Sequence, residues 1–161
     1  MASLTTEQVW QALAEVMDPE IPVVSVVEMG IVRAVSVAGN AVIITMTPTF
    51  SGCPALEAMK TDIEARVRLA GAELVTVKTV LASPWTSDWI TDTARSKLQA
   101  FGLAPPTRHA GNWERLLTNA AACPYCGSHN TTLKNSFGPT LCGALYYCNN
   151  CQQPFEQFKP I

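Results

Sequence analysis

The sequence has 161 residues, of which 48% are apolar and 15% are charged, and its formal net charge is −2. This composition supplies a packed core and excludes a disordered chain, while the near-neutral charge excludes a strongly basic nucleic-acid-binding protein. No apolar run approaches the ~20 residues of a membrane-spanning helix. The first basic residue is Arg33, so the basic flank of a signal or transit peptide is missing. We therefore expect a cytoplasmic protein that binds neither nucleic acid nor a membrane.

The beginning of the chain predicts a helix followed by a β-hairpin. Thr5 and Gln8 form a capping-box pattern ahead of apolar residues at helical spacing. That helix should stop at Asp18-Pro19, because the residue before a proline avoids the α region. Residues 31–37 have the composition of a strand, which should turn at a Gly-Asn pair and return along residues 41–47.

The next stretch predicts a helix and a strand that pairs in parallel. Pro54 fits the first position of a helix whose apolar face continues to Gly71. Residues 73–81 are rich in β-forming residues. Because a helix intervenes between this strand and the previous one, we expect a parallel pairing with a right-handed crossover.

A third helix should begin within residues 83–89, with Thr86 or Ser87 as its N-terminal cap, and end at Gly102. The predicted order is therefore α-β-β-α-β-α. It corresponds to a small α/β layer domain in which helices pack on a short mixed sheet.

A domain boundary is expected at Pro105-Pro106, where two consecutive prolines disfavour a helix and indicate a linker. Acidic side chains outnumber basic ones in residues 1–106, and the reverse holds in residues 107–161, where most of the aromatic residues also lie. The sequence therefore predicts two domains, residues 1–106 and residues 107–161.

Four cysteines in the second domain have the spacing of a metal site. Cys123 and Cys126 form one Cys-x-x-Cys pair, and Cys148 and Cys151 form another. A zinc ion takes four thiolates tetrahedrally, and each pair offers two sulfurs from one tight turn, so the pattern predicts a four-cysteine zinc ribbon. Four cysteines leave no open position on the metal, which favours structural zinc. Iron in the same cage, or two disulfide pairs or free thiols, are the alternatives.

Three further residues near this pattern have weaker interpretations. Cys142 could be a fifth thiol near the metal, a ligand in an alternative set or a small buried hydrophobe, and we prefer the last because four better-spaced ligands complete the shell. His109 and His129 are interpreted as solvated histidines or as partners of a metal ligand.

The loop at residues 47–54 is the strongest candidate in the sequence for a reactive or ligand-binding site. Cys53 stands where a helix begins, and the partial positive charge of a helix N-terminus would lower the pKa of its thiol. The hydroxyls of Thr47, Thr49 and Ser51 could bind a ligand. They could equally close the turn, and Cys53 could be a cap or a packed side chain.

Asp18 and Glu20 place two carboxylates in a loop stiffened by prolines. Paired carboxylates serve acid–base chemistry or bind hard metal ions. An exposed turn is the alternative, and the pattern alone favours it.

Two groups of motifs are together similar to a known family. The first group contains Asp18–Pro22, Met29–Val32 and Thr47–Pro54, and the second contains Pro84–Trp89, Gly102–Pro106 and the ribbon ending in Pro154–Lys159. The first group resembles the SufT-like iron–sulfur assembly domain. Both groups together resemble the D-subunit family of the bacterial phenylacetyl-CoA ring-1,2-epoxidase system.

This resemblance implies a role in aerobic phenylacetate catabolism, beside a di-iron oxygenase component and a reductase component that carries an iron–sulfur cluster and flavin. By the same resemblance, Cys53 matches a reactive cysteine and Asp18 and Glu20 match an acidic loop. The four ribbon cysteines match the metal tetrad, and Cys142 falls where relatives carry cysteine. Relatives often have a further cysteine where this chain has Pro160.

The leading hypothesis is an accessory or maturation factor with no catalytic activity of its own. It would hold an iron–sulfur cluster transiently at Cys53 and would have the oxygenase and reductase components as partners. A structural component of the oxygenase complex and a thiol-based redox enzyme are the alternatives, and the sequence also allows a homodimer.

Overall fold

The computed structural model describes residues 3–112, 114 and 120–161. The backbone forms two compact units, one ending at Trp85 and the other beginning at Thr86. None of the helices in the described part of the chain combines the length and the apolar character that crossing a bilayer requires.

The first unit contains a three-stranded sheet with the order β1-β2-β3. Strands β1 and β2 are antiparallel, and β3 is parallel to β2, which confirms the mixed sheet and the parallel pairing that the sequence predicts. The elements are α1 (Thr6–Leu13), β1 (Val32–Ala38), β2 (Ala41–Met46), α2 (Leu56–Leu69) and β3 (Leu74–Thr79).

Helix α1 begins as predicted but is shorter than expected. The Thr5 hydroxyl accepts a hydrogen bond from the Gln8 amide at 3.2 Å, and the Gln8 side chain accepts one from the Thr5 amide at 2.9 Å. The helix ends at Leu13, not at Asp18-Pro19. Beyond it, the backbone pairs with a later loop: the Asp18 amide donates to the Val24 carbonyl at 2.9 Å. These tertiary hydrogen bonds replace those of another helical turn.

Helix α2 begins at Leu56, two residues after Pro54. Two consecutive turns precede it, because the Cys53 amide donates to the Phe50 carbonyl and the Cys53 carbonyl accepts from the Leu56 amide, both at 3.2 Å. The apolar face that the sequence predicts for α2 is present, and the helix packs with α1 and β3. The buried core of this unit includes Met59, Ile63 and Val67 of α2, Val9 and Leu13 of α1, and Ile44 and Met46 of β2.

The second unit contains helix α3 (Asp92–Phe101) and a four-stranded sheet with the order β4-β7-β6-β5. Strand β4 runs parallel to β7, and the other neighbours are antiparallel. The strands are β4 (Leu103–Ala104), β5 (Thr131–Asn135), β6 (Gly143–Cys148) and β7 (Pro154–Phe158).

The third helix begins later than the sequence predicts. Thr86 does act as a cap, but it caps a separate 3-10 turn at Ser87–Trp89. Helix α3 starts at Asp92, where the Thr91 hydroxyl accepts from the Ala94 amide at 3.2 Å. Gly102 closes the helix with a φ of 91°, as its position predicts. Two N-terminal caps in close succession divide the segment into two helical pieces.

The predicted α/β fold class is confirmed. Helix α3 and strand β4 pack within the second unit, since β4 joins the sheet of the ribbon. The compact units therefore divide at Trp85 and Thr86, whereas the division of the chain after residue 106, drawn from composition, stays a prediction.

Candidate metal centre and thiol site

The structure brings the four cysteines of the two Cys-x-x-Cys pairs together. Their Sγ atoms all lie within 4.8 Å of one another. Cys123 Sγ lies 3.6 Å from Cys151 Sγ, and Cys126 Sγ lies 3.6 Å from Cys148 Sγ. A tetrahedral zinc ion with zinc–sulfur bonds of about 2.3 Å places its sulfurs about 3.8 Å apart. The donor set and its spacing therefore fit a tetrahedral metal ion, zinc above all.

Each cysteine pair lies on a tight backbone turn. In the first, the Gly127 amide donates to the Cys123 carbonyl at 2.9 Å, and Gly127 has a φ of 74°. In the second, the Gln152 amide donates to the Cys148 carbonyl at 2.9 Å, and Gln152 has a φ of 60°. Gln152 therefore has the same left-handed role as Gly127, although nothing in the sequence pattern identified it.

Two of the four sulfurs, those of Cys126 and Cys151, differ in how readily they lose a proton. The Ser128 amide and the Asn150 side chain donate to the sulfur of Cys126 and lower its pKa to about 6. Desolvation, followed by hydrogen bonding to Cys148, raises the pKa of Cys151 to about 12. A metal ion must therefore displace at least one proton from the set, and this makes binding dependent on pH.

Two of the ligands belong to the core of the second unit. Cys123 and Cys148 are buried in a cluster that contains Ala104, Ala121 and Phe155. Because half of the donor set is also core, we expect metal binding to stabilise the folded ribbon.

Cys142 and the two histidines lie outside the tetrad. Cys142 is buried, with its sulfur 3.4 Å from the Thr140 hydroxyl, in keeping with the preferred interpretation as a packed side chain. His129 is exposed. His109 is 4% exposed, so the interpretation of a solvated histidine is wrong for it. Its Nδ1 accepts from the Gly111 amide at 3.1 Å, and its Nε2 lies 2.9 Å from the Ile161 carbonyl.

Cys53 lies in the first unit, in the loop between β2 and α2, and its side chain is half-buried. Of the three hydroxyl residues of this loop, Thr47 is buried and its amide donates to the Ile31 carbonyl at 2.8 Å. Thr49 is half-buried and Ser51 is exposed. Thr47 therefore helps to anchor the loop, whereas Thr49 and Ser51 remain accessible to a ligand.

The two carboxylates of the acidic loop differ in exposure, because Asp18 is buried and Glu20 is exposed. Asp18 is 8% exposed, and its carboxylate accepts hydrogen bonds from the amides of Glu20 at 2.8 Å and Ile21 at 3.2 Å. Burial raises the pKa of Asp18 in spite of these bonds. Burial and the neighbouring Asp18 carboxylate raise the pKa of Glu20.

The pKa of Cys53 is raised, so the expectation that the helix N-terminus lowers it is wrong. Burial is the largest cause, and the carboxylates of Glu20 and Asp18 add to it. The amides of Ala55 and Leu56 donate to the sulfur and oppose the shift, but they do not outweigh it. The structure thus places Asp18, Glu20 and Cys53 in one electrostatic neighbourhood. Their ligand atoms are not close enough for a preformed metal site, since in the described chain only the ribbon cysteines meet that condition.

Comparison with known proteins assigns both parts of the chain. Residues 6–79 match the model of an iron–sulfur cluster assembly protein family, and residues 108–159 match the PaaD zinc beta ribbon domain. A relative from Escherichia coli (strain K12), named as the D subunit of 1,2-phenylacetyl-CoA epoxidase, is 40% identical over 154 residues, which cover 96% of this chain and 92% of the relative. The chain belongs to the D-subunit family of 1,2-phenylacetyl-CoA epoxidases.

Other similarities fall on a part of this epoxidase-family chain. An Fe-S protein maturation auxiliary factor from Porphyromonas gingivalis is 31% identical over 96 residues, or 58% of this chain and 90% of the relative. The crystal structure of a DUF59 domain of unknown function from Bacillus anthracis has a TM-score of 0.54 and 27% identity, and the match covers 57% of this chain and 89% of that one. A chain of the D-subunit family thus joins an assembly-type domain to a zinc ribbon.

Proposed function

We propose that this protein is an accessory maturation factor of a multicomponent 1,2-phenylacetyl-CoA epoxidase in aerobic phenylacetate catabolism. It would assist the assembly of an iron–sulfur cluster or its delivery to the reductase component, without catalytic activity of its own. One observation carries the proposal: a single chain contains both an iron–sulfur cluster assembly match and the PaaD zinc ribbon. The likeness to an Fe-S protein maturation auxiliary factor supports it.

Cys53 is the residue that would bind the cluster. At neutral pH its thiol keeps its proton, because burial and two nearby carboxylates raise its pKa. Iron of the incoming cluster replaces that proton, and its positive charge offsets the field of Asp18 and Glu20. A single thiol supplies only one ligand, so the remaining ligands must come from the donor or from the acceptor. This arrangement suits a cluster that is held briefly and then passed on.

The raised pKa of Cys53 also disfavours a thiol-based redox enzyme. Such catalysis depends on a thiolate nucleophile, and a low pKa supplies it at neutral pH. Cys53 has the opposite shift. A metal ligand, in contrast, needs to lose its proton only when the metal arrives.

The ribbon tetrad would hold zinc as a structural ion. Four thiolates complete a tetrahedral shell and leave no position for a substrate. In this proposal the zinc stabilises the ribbon, and the chemistry of cluster handling belongs to Cys53.

Anaerobic reconstitution with iron and sulfide tests the proposal. The wild type should contain equimolar zinc and additional labile iron. Cys53→Ala should keep the zinc and lose the labile iron, Cys123→Ala should lose the zinc, and the control Cys142→Ala should match the wild type. Labile iron that survives in Cys53→Ala would contradict the proposed role of this residue.

A cellular experiment separates the proposal from its main alternative. A strain with Cys53→Ala should accumulate a reductase component that is deficient in its cluster. If the reductase matures normally while the protein still co-purifies with the oxygenase in stoichiometric amounts, a structural component of the complex is the better description.

A further inference from the structure

A groove of about 500 Å³ crosses the first unit between the loop that follows α1 and one face of α2. The loop contributes Met17, Asp18 and Pro19, and the helix contributes Asp62 and Leu69. The floor therefore combines apolar side chains with carboxylates. This composition is unusual for an ordinary solvated surface, where large apolar groups are scattered singly.

The helical face on this groove is not the one that packs on the core. The buried face of α2 is formed by Met59, Ile63 and Val67, whereas Asp62 and Leu69 lie on a neighbouring face, seven residues apart and so nearly in line along the helix. Leu69 is 81% exposed. Met17, on the facing loop, is 40% exposed. Two large apolar side chains are thus presented to solvent on opposite walls of one depression.

The charges of the groove are unbalanced. Glu15 and Arg66 form an ion pair at 3.0 Å and neutralise each other. Asp18 and Asp62 are the remaining charged residues of the lining, and both are acidic. Within the described part of the chain, neither of these two carboxylates forms an ion pair with a basic side chain. The groove is consequently complementary to a group that carries positive charge.

The groove shares one residue with the candidate thiol site. Asp18 lines the groove, and its carboxylate contributes to the raised pKa of Cys53. A segment lying in the groove would therefore contact a residue whose charge acts on the thiol that is proposed to hold the cluster.

We propose that this groove is the docking site for a client protein segment in which an apolar side chain stands next to a lysine or arginine. The apolar side chain packs between Met17 and Leu69, and the basic group pairs with the exposed Asp62, near the buried carboxylate of Asp18. The inference rests on the proposed function, since it takes the client to be the component that receives the cluster.

Binding of the full chain to the purified reductase component, measured by calorimetry at low and high salt, tests the inference. Leu69→Asp removes an apolar wall at an exposed position, and Asp62→Lys reverses a groove charge. Each should weaken binding at least about tenfold, the size expected when an interface anchor is lost.

The matched controls are Leu74→Asp, at another exposed leucine that lies outside the groove, and Glu64→Lys, a charge reversal on the same helix. Both should bind like the wild type, whose affinity should fall as salt rises.

The possible outcomes separate a failure of the docking site from a failure of the proposed role of Cys53. Full affinity of Leu69→Asp and Asp62→Lys, with their thermal unfolding unchanged, would overturn the docking site and leave cluster handling intact. Lost affinity in these variants together with normal cluster transfer by Cys53→Ala would support docking and overturn the role of the thiol. A wild-type protein that binds no reductase, or that self-associates through the groove, would also overturn the inference.

Discussion

The indole N–H of Trp85 donates a buried hydrogen bond of 2.9 Å to the carbonyl of Met29. The two residues are 56 positions apart in the chain. Both are buried, with Trp85 3% and Met29 0% exposed. Trp85 belongs to one of the motifs through which the sequence resembles its family. The hydrogen bond gives Trp85 a structural role, because it connects the end of the first unit to the loop that precedes β1.

Replacing Trp85 with phenylalanine should destabilise the first unit. The ring still fills part of the space, but the buried Met29 carbonyl loses its partner, which costs about 1–3 kcal/mol. Urea unfolding measures the effect. The control Leu74→Ala, at a 60% exposed position, should change the free energy of unfolding by less than about 0.5 kcal/mol. Equal stability of Trp85→Phe and the wild type would show that the bond contributes little.

Zinc binding by the ribbon should weaken as the pH falls. Protons compete with the metal for the thiolates, so affinity is highest where the sulfurs are ionised. Cys126 has a pKa of about 6, so it is half protonated at that pH and competes with zinc increasingly below it. The decline should be steeper below about pH 6 than above it. Competition with a chelator over a pH series measures this, and an affinity independent of pH would exclude binding through thiolates.

The left-handed conformation of Gly127 predicts a specific cost for Gly127→Ala. No atom would obstruct the new Cβ, so the penalty comes from the φ of 74° alone. It should amount to about 1 kcal/mol and lower zinc affinity several-fold. Gly39→Ala is a matched control, because Gly39 has a φ of 62° and similar open space, but lies in the first unit. It should lower stability without changing zinc affinity. A similar loss of zinc affinity in both variants would contradict the link to the metal turn.

The carboxylates near Cys53 predict how its reactivity depends on pH. Alkylation requires the thiolate, and Glu20 and Asp18 raise the pKa of the thiol. Asp18→Asn and Glu20→Gln should therefore shift the alkylation profile of Cys53 to lower pH, since each removes a negative charge. Site-resolved mass spectrometry of the zinc-loaded protein measures the rate. Glu73→Gln serves as a control at an exposed position that does not act on this thiol, and its profile should match the wild type. A shift to higher pH would reverse the assigned sign.

The sequence predicts features that depend on neighbouring residues far better than features that depend on distant ones. The capping box at Thr5, the mixed sheet and the closure of α3 at Gly102 follow from local patterns, and all are present. The spacing of the ribbon cysteines predicts their meeting, because two short turns leave few ways to arrange four sulfurs. The caps need only a few consecutive residues to form, whereas the sheet and the cysteine site follow from the order and spacing of short motifs.

The raised pKa of Cys53 could not be predicted in this way. Its position at a helix start predicts a lowered pKa, and the opposing effect comes from burial and from carboxylates more than thirty residues earlier in the chain. Likewise, α1 ends early because the backbone beyond it, at Asp18, forms a hydrogen bond with Val24 of a later loop. His109 is buried for a comparable reason, since residues distant in sequence enclose it. These properties arise only when the tertiary structure is formed.

The buried carboxylate of Asp18 predicts a change in stability with pH. Its pKa is raised in the folded state, so the folded protein holds this proton more tightly than the unfolded chain does. The stabilisation is present at low pH and is lost as the pH rises through the folded pKa. Asp18→Asn cannot ionise, and its amide oxygen can still accept from the amides of Glu20 and Ile21. The variant should therefore be more stable than the wild type at neutral pH, and the difference should vanish towards about pH 3. Urea unfolding at both pH values measures it. A variant that is less stable at neutral pH would show that the ionised carboxylate stabilises the fold, and that its burial is more than compensated by the two hydrogen bonds it accepts.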